Sequence, residues 1–343
     1  MKTMNVSSTR CDAAWCREPA CLWFSRCPFG VWRSGYRKVV SGIGAARLPQ
    51  MLTHRRLALG TAQFGMDYGV ANTGGRVTRA ALADILTTAA RAGLDTLDTA
   101  IAYGQSEACL GAAGVDNWRV ITKLPRLPDP APPDVRAWVL AAVQGSLDRL
   151  QLPGLTAVLL HHPADLLGRH GPDLAWALAE LKDRGLIRQA GLSMYAPTEL
   201  EELLAMGVLD VIQAPLSIVD RRLVLSGWLD RLQQMGVEVH VRSVFLQGLL
   251  LMPAEQRPAS FQAWQKMWDR WDQWLREQRL SPLEACLRYV LGFDVIARVV
   301  IGVDSLAQLR QIIAACGGEL PDVPDELRSD DVDLINPSRW QLP

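Results

Sequence analysis

From Leu57 onward the chain alternates short β-branched or aliphatic runs with longer amphipathic stretches. The runs that read as strands are 57–63, 96–100, 119–124, 157–161, 190–193, 211–214, 237–243 and 299–303. Apolar residues recur at helical spacing over 78–92, 134–150, 174–184, 197–206, 223–235, 282–291 and 305–315. Thr78 stands where an N-cap belongs and Gly93 where a helix should close. Strands separated by helices pair in parallel through crossovers. Eight such units over about 250 residues are the size of a (β/α)8 barrel. The expected fold is therefore α/β: a single-domain (β/α)8 TIM barrel over 51–318, with an irregular N-terminal extension (1–50) before it and a tail (319–343) after it. A doubly wound sheet would need a Gly-rich turn after its first strand. The one G-x-G is Gly42-Ile43-Gly44, and Arg47 occupies the place of the third glycine.

Charge separates the extension from the barrel. The 343 residues hold 36 basic and 36 acidic side chains, a formal net charge of zero. Residues 1–50 contain eight basic residues against two acidic ones, hence +6, so the remaining 293 carry −6. Neither the neutral whole nor the mildly acidic barrel suits nucleic acid or an anionic membrane. No run approaches 18 apolar residues, so no membrane span is expected, and the N-terminus lacks the apolar core of a secretory signal. Cys109, Cys286 and Cys316 read as buried thiols of a cytoplasmic protein. Cys11, Cys16, Cys21 and Cys27 do not have the spacing of paired zinc ligands, and no metal is expected. Met51 lies a few residues before the first strand, and the expectation is that translation starts there; an intact mass for the full 343 residues would overturn this.

Active sites of such barrels lie at the C-terminal ends of the strands and in the loops just beyond. Strand two leads into Asp98 and, five residues on, Tyr103; strand three ends at Lys123; strand four ends at His161-His162-Pro163. Singly, each has a bland reading: Asp98 as a helix cap, Tyr103 and Lys123 as surface residues, a histidine as a satisfied polar group. Their coincidence at neighbouring strand ends carries the chemistry. An isolated tyrosine titrates near about 10 and is a poor acid at neutrality. An adjacent ammonium stabilises its phenolate, Asp98 would hold that ammonium, and His161 would hydrogen-bond a substrate carbonyl. Such a set protonates an oxygen as charge develops on it and suits carbonyl reduction by a cofactor's hydride.

Leu59-Gly60-Thr61-Ala62-Gln63-Phe64-Gly65, Asp98-Thr99-Ala100 through Tyr103-Gly104-Gln105-Ser106-Glu107, Thr122-Lys123-Leu124 and Leu160-His161-His162-Pro163 resemble the aldo/keto reductases, from about Arg56 to about Gly317. The resemblance implies NADPH or NADH as cofactor and a small-molecule carbonyl compound as substrate. It implies Tyr103 as proton donor, Lys123 and Asp98 as tuning residues, and His161 as the residue that orients the carbonyl. By the same resemblance Ser193 and Gln213 meet the nicotinamide amide. Ser243, Phe245 and Gly248 belong to the loop over the pyrophosphate, and Gly302, Asp304, Ser305 and Gln308 to the adenosine-phosphate site at a helix N-terminus. Three positions depart from the family pattern: Leu216 where an aromatic ring is common, Met194 where asparagine is common, and Asp304 where NADPH users often carry Lys or Arg. A carboxylate a few Å from a 2′-phosphate costs on the order of 1–4 kcal/mol. Arg310 could offset it, so the resemblance leans to NADPH while Asp304 leaves NADH open.

Three outlying features complete the reading. Trp264, Trp268, Trp271 and Trp274 share one helical face inside the insertion 253–280, as a packing surface or as an aromatic wall toward substrate. The Gly-rich loop 64–76 is long for this type of connection; loops at this rim shape substrate pockets, with Tyr68 and Asn72 either structural or substrate-facing. Trp340 in the tail either contacts substrate or covers an apolar patch. Besides carbonyl reduction, a non-catalytic barrel acting as a binding or regulatory subunit and a metal-free lyase or isomerase fit the same chain. Substrate identity and oligomeric state stay open.

Overall fold

A computed structural model of the chain describes residues 53–72 and 74–340. The Gly42-Ile43-Gly44 turn, the four N-terminal cysteines and Met51 lie outside the described residues.

Eight parallel strands close into a barrel in sequence order. They are β1 Leu57–Gly60, β2 Thr96–Asp98, β3 Arg119–Leu124, β4 Leu155–Leu160, β5 Ile187–Ser193, β6 Val211–Pro215, β7 Glu238–Arg242 and β8 Ile296–Gly302. The barrel shuts where Leu57 to Gly60 pair with Val299 to Gly302. The helices are α1 Arg79–Arg91, α2 Ser106–Ala113, α3 Val135–Leu150, α4 Gly171–Asp183, α5 Leu200–Leu204, α6 Trp228–Gln234, α7 Gln265–Gln278, α8 Pro282–Leu291 and α9 Leu306–Ala315, with short helical turns between some of them. Their starts have sequence causes. Thr78, Asp134 and Ser305 each accept a backbone N–H of the first turn, and Ser281 with Glu284 forms a full capping box.

Most apolar side chains pack between the strands and the helix ring. Inside the barrel Ile121, Ala157, Leu159 and Val211 form a separate apolar plug. Several inward-facing positions toward the C-terminal ends of the strands are polar, and the site is built on them.

The first strand is shorter than its sequence suggests. Thr61 turns the chain by donating both its N–H and its hydroxyl to the Asp98 carbonyl, and Ala62–Gly65 coil into a helical turn. Gly65 then lies so close to the next loop that a Cβ there would sit 1.9 Å from the Tyr103 carbonyl oxygen. The Gly65 carbonyl in turn accepts the Gln105 N–H. The β1 loop thus fixes the backbone that carries Tyr103. The helix α2 that follows is absent from the sequence expectation, because Ser-Glu-Ala-Cys-Leu-Gly-Ala-Ala has too few large apolar residues to show a period. Its Ser106 and Glu107 are buried and bonded to Thr61 and Thr122.

The tryptophans of α7 are packing residues. Trp268, Trp271 and Trp274 are buried, Trp268 Nε1 donates to the Phe261 carbonyl, and Trp274 Nε1 to that of Asp322. The tail closes over this face, and the Trp340 ring stands edge-on to Phe261 at 4.9 Å. Tail residues also reach the β6 end of the barrel: the Pro324 carbonyl accepts from Arg221, and Ser329 N–H donates to Val219. Trp340 therefore covers apolar surface. Cys286 and Cys316 are buried thiols, whereas Cys109 is only half-buried. No helix among the described residues is long and apolar enough to cross a membrane.

Candidate active site

Inward-facing residues at the upper ends of β2, β3, β5, β6 and β7 join in one chain of hydrogen bonds. Lys123 Nζ donates to Asp98 Oδ1 at 2.5 Å and to the Thr99 carbonyl at 2.9 Å. The other Asp98 oxygen accepts from Gln213 Nε2 at 2.7 Å, and Gln213 Oε1 accepts from Ser193 Oγ at 3.1 Å. Arg242 Nε donates to Ser193 Oγ at 3.1 Å. Asp98, Lys123, Ser193 and Gln213 are all buried. Burial alone would drive Lys123 toward the neutral amine, but the Asp98 carboxylate reverses that and holds its pKa above the usual lysine value. Lys123 is thus a fixed ammonium.

Tyr103 and His161 stand over this ammonium. Lys123 Nζ lies 5.1 Å from the centre of the Tyr103 ring. The His161 ring meets Tyr103 edge-on, with centroids 5.9 Å apart and planes at 79°. Burial, then the charges of Lys123 and Arg242, push the His161 pKa down to about 4. At neutral pH His161 is therefore an uncharged imidazole able to donate one hydrogen bond. Its neighbour His162 is exposed.

The expected cofactor residues fall into two groups. Ser193 and Gln213 belong to the chain just described, and Ser243 is tied to it because Arg242 Nη1 donates to Ser243 Oγ at 3.1 Å. The rest lie on the loops after β7 and β8. Phe245 is buried, and Ser243, Leu246, Gln247 and Gly248 all have positive φ. A Cβ on Gly248 would come within 2.5 Å of Ala71 Cβ, so the β7 loop closes against the β1 loop. Gln247 Nε2 donates to Tyr68 Oη at 3.3 Å across the same seam. After β8, a Cβ on Gly302 would meet Gln63 Nε2 at 2.6 Å. Ser305 caps α9, and Gln308 Oε1 accepts the Asp304 N–H at 2.7 Å. Asp304 Oδ1 is buried with no hydrogen-bond partner, and burial raises the pKa of this carboxyl.

Several participants escape the sequence reading. Thr99 contributes only a carbonyl, which composition cannot show. Arg242 and Tyr195 form a stacked pair at the mouth, 4.4 Å from guanidinium carbon to ring centre; a charged residue ending a strand was the available signal for Arg242. Tyr68 faces the mouth, its phenol pushed up to about 12 by burial and next by Tyr103. Asn72 is structural: its side chain bonds the Tyr68 and Gly75 carbonyls and the Gly74 and Gly75 N–H groups.

The comparisons with known proteins agree with this fold. The sequence profile of the Aldo/keto reductase family matches residues 56–324. An uncharacterized oxidoreductase, YqkF, of Bacillus subtilis (strain 168) is 26% identical over 189 residues, a match spanning 52% of this chain and only 60% of that protein. The NADH-specific methylglyoxal reductase of Escherichia coli (strain K12) is 28% identical over 316 residues, 79% of this chain and 92% of that one. The holo form of the aldo-keto reductase AKR11C1 from Bacillus halodurans superposes with a TM-score of 0.62 at 25% identity, covering 79% of this chain and 89% of that one. The chain belongs to the aldo/keto reductase family and is an NAD(P)H oxidoreductase of that type.

Proposed function

We propose that this chain reduces an aldehyde or ketone to the alcohol, with Tyr103 as the proton donor. The observation that carries the reading is the clamped ammonium of Lys123, held between Asp98 and the Thr99 carbonyl beneath the Tyr103 ring. The bound nicotinamide supplies the hydride. As negative charge builds on the substrate oxygen, neutral His161 donates a hydrogen bond to it and Tyr103 gives up its proton. Lys123 stabilises the phenolate left behind, and Asp98 keeps Lys123 charged and in place. Ser193 and Gln213 would hold the carboxamide end of the coenzyme.

NADH is the proposed coenzyme. The unpartnered Asp304 oxygen supports this, since it would accept from a ribose hydroxyl and repel a 2′-phosphate. The NADH specificity in the name of the Escherichia coli relative points the same way. Arg310, exposed on α9, is the cation that would oppose it.

Turnover of a carbonyl panel with each coenzyme tests both parts. Tyr103→Phe should lose on the order of 10²–10⁴-fold in kcat while coenzyme still quenches tryptophan fluorescence. Near-wild-type reduction by that variant overturns the assignment. Wild type should favour NADH, and Asp304→Asn should narrow the preference by about tenfold or more. A wild-type preference for NADPH overturns the coenzyme reading.

A further inference from the structure

Arg242 ends β7 on the inner face of the barrel, and all its hydrogen-bond partners are neutral. Nε donates to Ser193 Oγ and Nη1 to Ser243 Oγ, both at 3.1 Å, and Nη2 donates to the Met194 carbonyl at 2.8 Å. The Tyr195 ring covers the guanidinium at 4.4 Å. Arg242 makes no ion pair among the described residues. The neighbouring carboxylates are committed elsewhere: Asp98 to Lys123 and Gln213, and Asp220 to Arg222 through contacts of 2.8 and 2.9 Å. With His161 neutral, Lys123 balanced by Asp98 and Asp220 balanced by Arg222, the charge of Arg242 is left over at the mouth.

A guanidinium has five N–H donors. Three are occupied here, so about two remain. Such a planar group, held flat by an aromatic ring, is well matched to carboxylate or phosphate oxygens. Its place also matters. Through Ser193 and Gln213 it is linked to the Asp98–Lys123 pair, which puts it at the reacting end of the site. The seam where the β7 and β1 loops meet lies further along, at Gly248 and Ala71.

We propose that Arg242 is a substrate-recognition residue, and that the carbonyl substrate carries an anionic group, carboxylate or phosphate, close to the carbonyl carbon. This rests on the reading of Tyr103 as proton donor to that carbonyl.

The test uses the purified full chain with its preferred coenzyme and two matched substrate pairs. One pair is a 2-oxo acid and its amide; the other is an aldehyde phosphate and the free aldehyde. Wild type should prefer the anionic member of at least one pair by tenfold or more in kcat/KM, and the pair that responds identifies the anion. Added salt should weaken the preference. Arg242→Met should reduce the anionic-to-neutral ratio by 10–100-fold, and Arg242→Lys should restore part of it. A merely structural role would lower both members of a pair together. No preference in either pair, in an enzyme that reduces the neutral members, overturns the proposal and leaves the reductase reading standing. A loss in Arg242→Met confined to coenzyme Kd, with the ratio preserved, likewise overturns it. Failure of wild type to reduce any carbonyl with either coenzyme overturns both.

Discussion

The barrel interior holds two groups of polar side chains besides the apolar cluster of Ile121, Ala157, Leu159 and Val211, one toward each end of the strands, and they spend their charges differently. Strand β7 shows both on one face, with Glu238 and His240 below and Arg242 above. At the lower end Glu238 joins His240 at 2.8 Å and Gln189 at 3.1 Å. Arg298 bridges Thr96 and Asp95. These contacts link β5 with β7 and β8 with β2, strands that do not pair with one another, and leave His240 Nδ1 buried without a partner. At the upper end the Asp98–Lys123 pair is balanced too, but a phenol, a neutral imidazole and an unmatched guanidinium face the mouth around it. Charge that only links strands is spent on partners. Buried charge that serves chemistry leaves some donors unspent.

Removing the ammonium is the hardest blow to this contrast. Lys123→Met leaves the Asp98 charge buried with Gln213 as its remaining side-chain donor. Breaking a buried pair from one side costs about 3–5 kcal/mol, and urea unfolding should show a loss of that size. Turnover should fall by on the order of 10³-fold or more, since the phenolate loses its counter-charge. The pair Asp98→Asn with Lys123→Met sharpens the point. It removes both charges, so most of the stability should return while turnover stays lost. A double variant that is active would mean that the upper end, like the lower, is there only to hold strands.

How much of this contrast was legible in the sequence depends on which end is considered. The upper residues stand at strand ends, where Asp98, Lys123 and His161 break otherwise apolar runs, so the eye finds them and the barrel rule gives them a purpose. The lower residues alternate with valines in Glu-Val-His-Val-Arg, and alternation ordinarily marks a half-buried strand with one wet face. Only closure of the sheet turns that face inward, and closure is a tertiary fact. Arg242 also ends a strand, but the alternation of Glu-Val-His-Val-Arg runs through it and masks that signal. Strand boundaries moved where local geometry overruled propensity, as at Thr61, whose bonds to the Asp98 carbonyl end β1 before the predicted 63. The eight-unit rhythm itself survived intact because it is set by the burial of whole strands and helices.

A milder variant probes the lower end. Glu238→Gln loses a charge-assisted contact to His240, which costs about 1–2 kcal/mol at a partly exposed site. Turnover should stay within about twofold, because the hydrogen-bond partners of Glu238, His240 and Gln189, lie outside the network that joins Lys123, Asp98, Gln213 and Ser193. Guanidinium unfolding and steady-state kinetics on the same preparation check this. A large catalytic loss would break the separation of the two ends.

Titration separates the two ends by pH. The His240 hydrogen bond, the largest cause, holds Glu238 down to about 2, against an unfolded carboxyl near about 4.3. Glu238 therefore contributes stability that is fully present above about 4.3 and is lost as pH falls from there toward 2. His161 behaves in the same sense but higher on the scale. Burial, then Lys123 and Arg242, hold it neutral down to about 4 in the folded chain, whereas an unfolded histidine takes its proton near about 6.5. Between those values the unfolded chain binds the extra proton, so stability falls as pH drops from about 6.5 to about 4. Urea midpoints measured from pH 8 to pH 2 should thus show two windows. His161→Gln should flatten the upper one and Glu238→Gln the lower one, each leaving the other in place. If one substitution flattens both, the two polar ends titrate as a single unit.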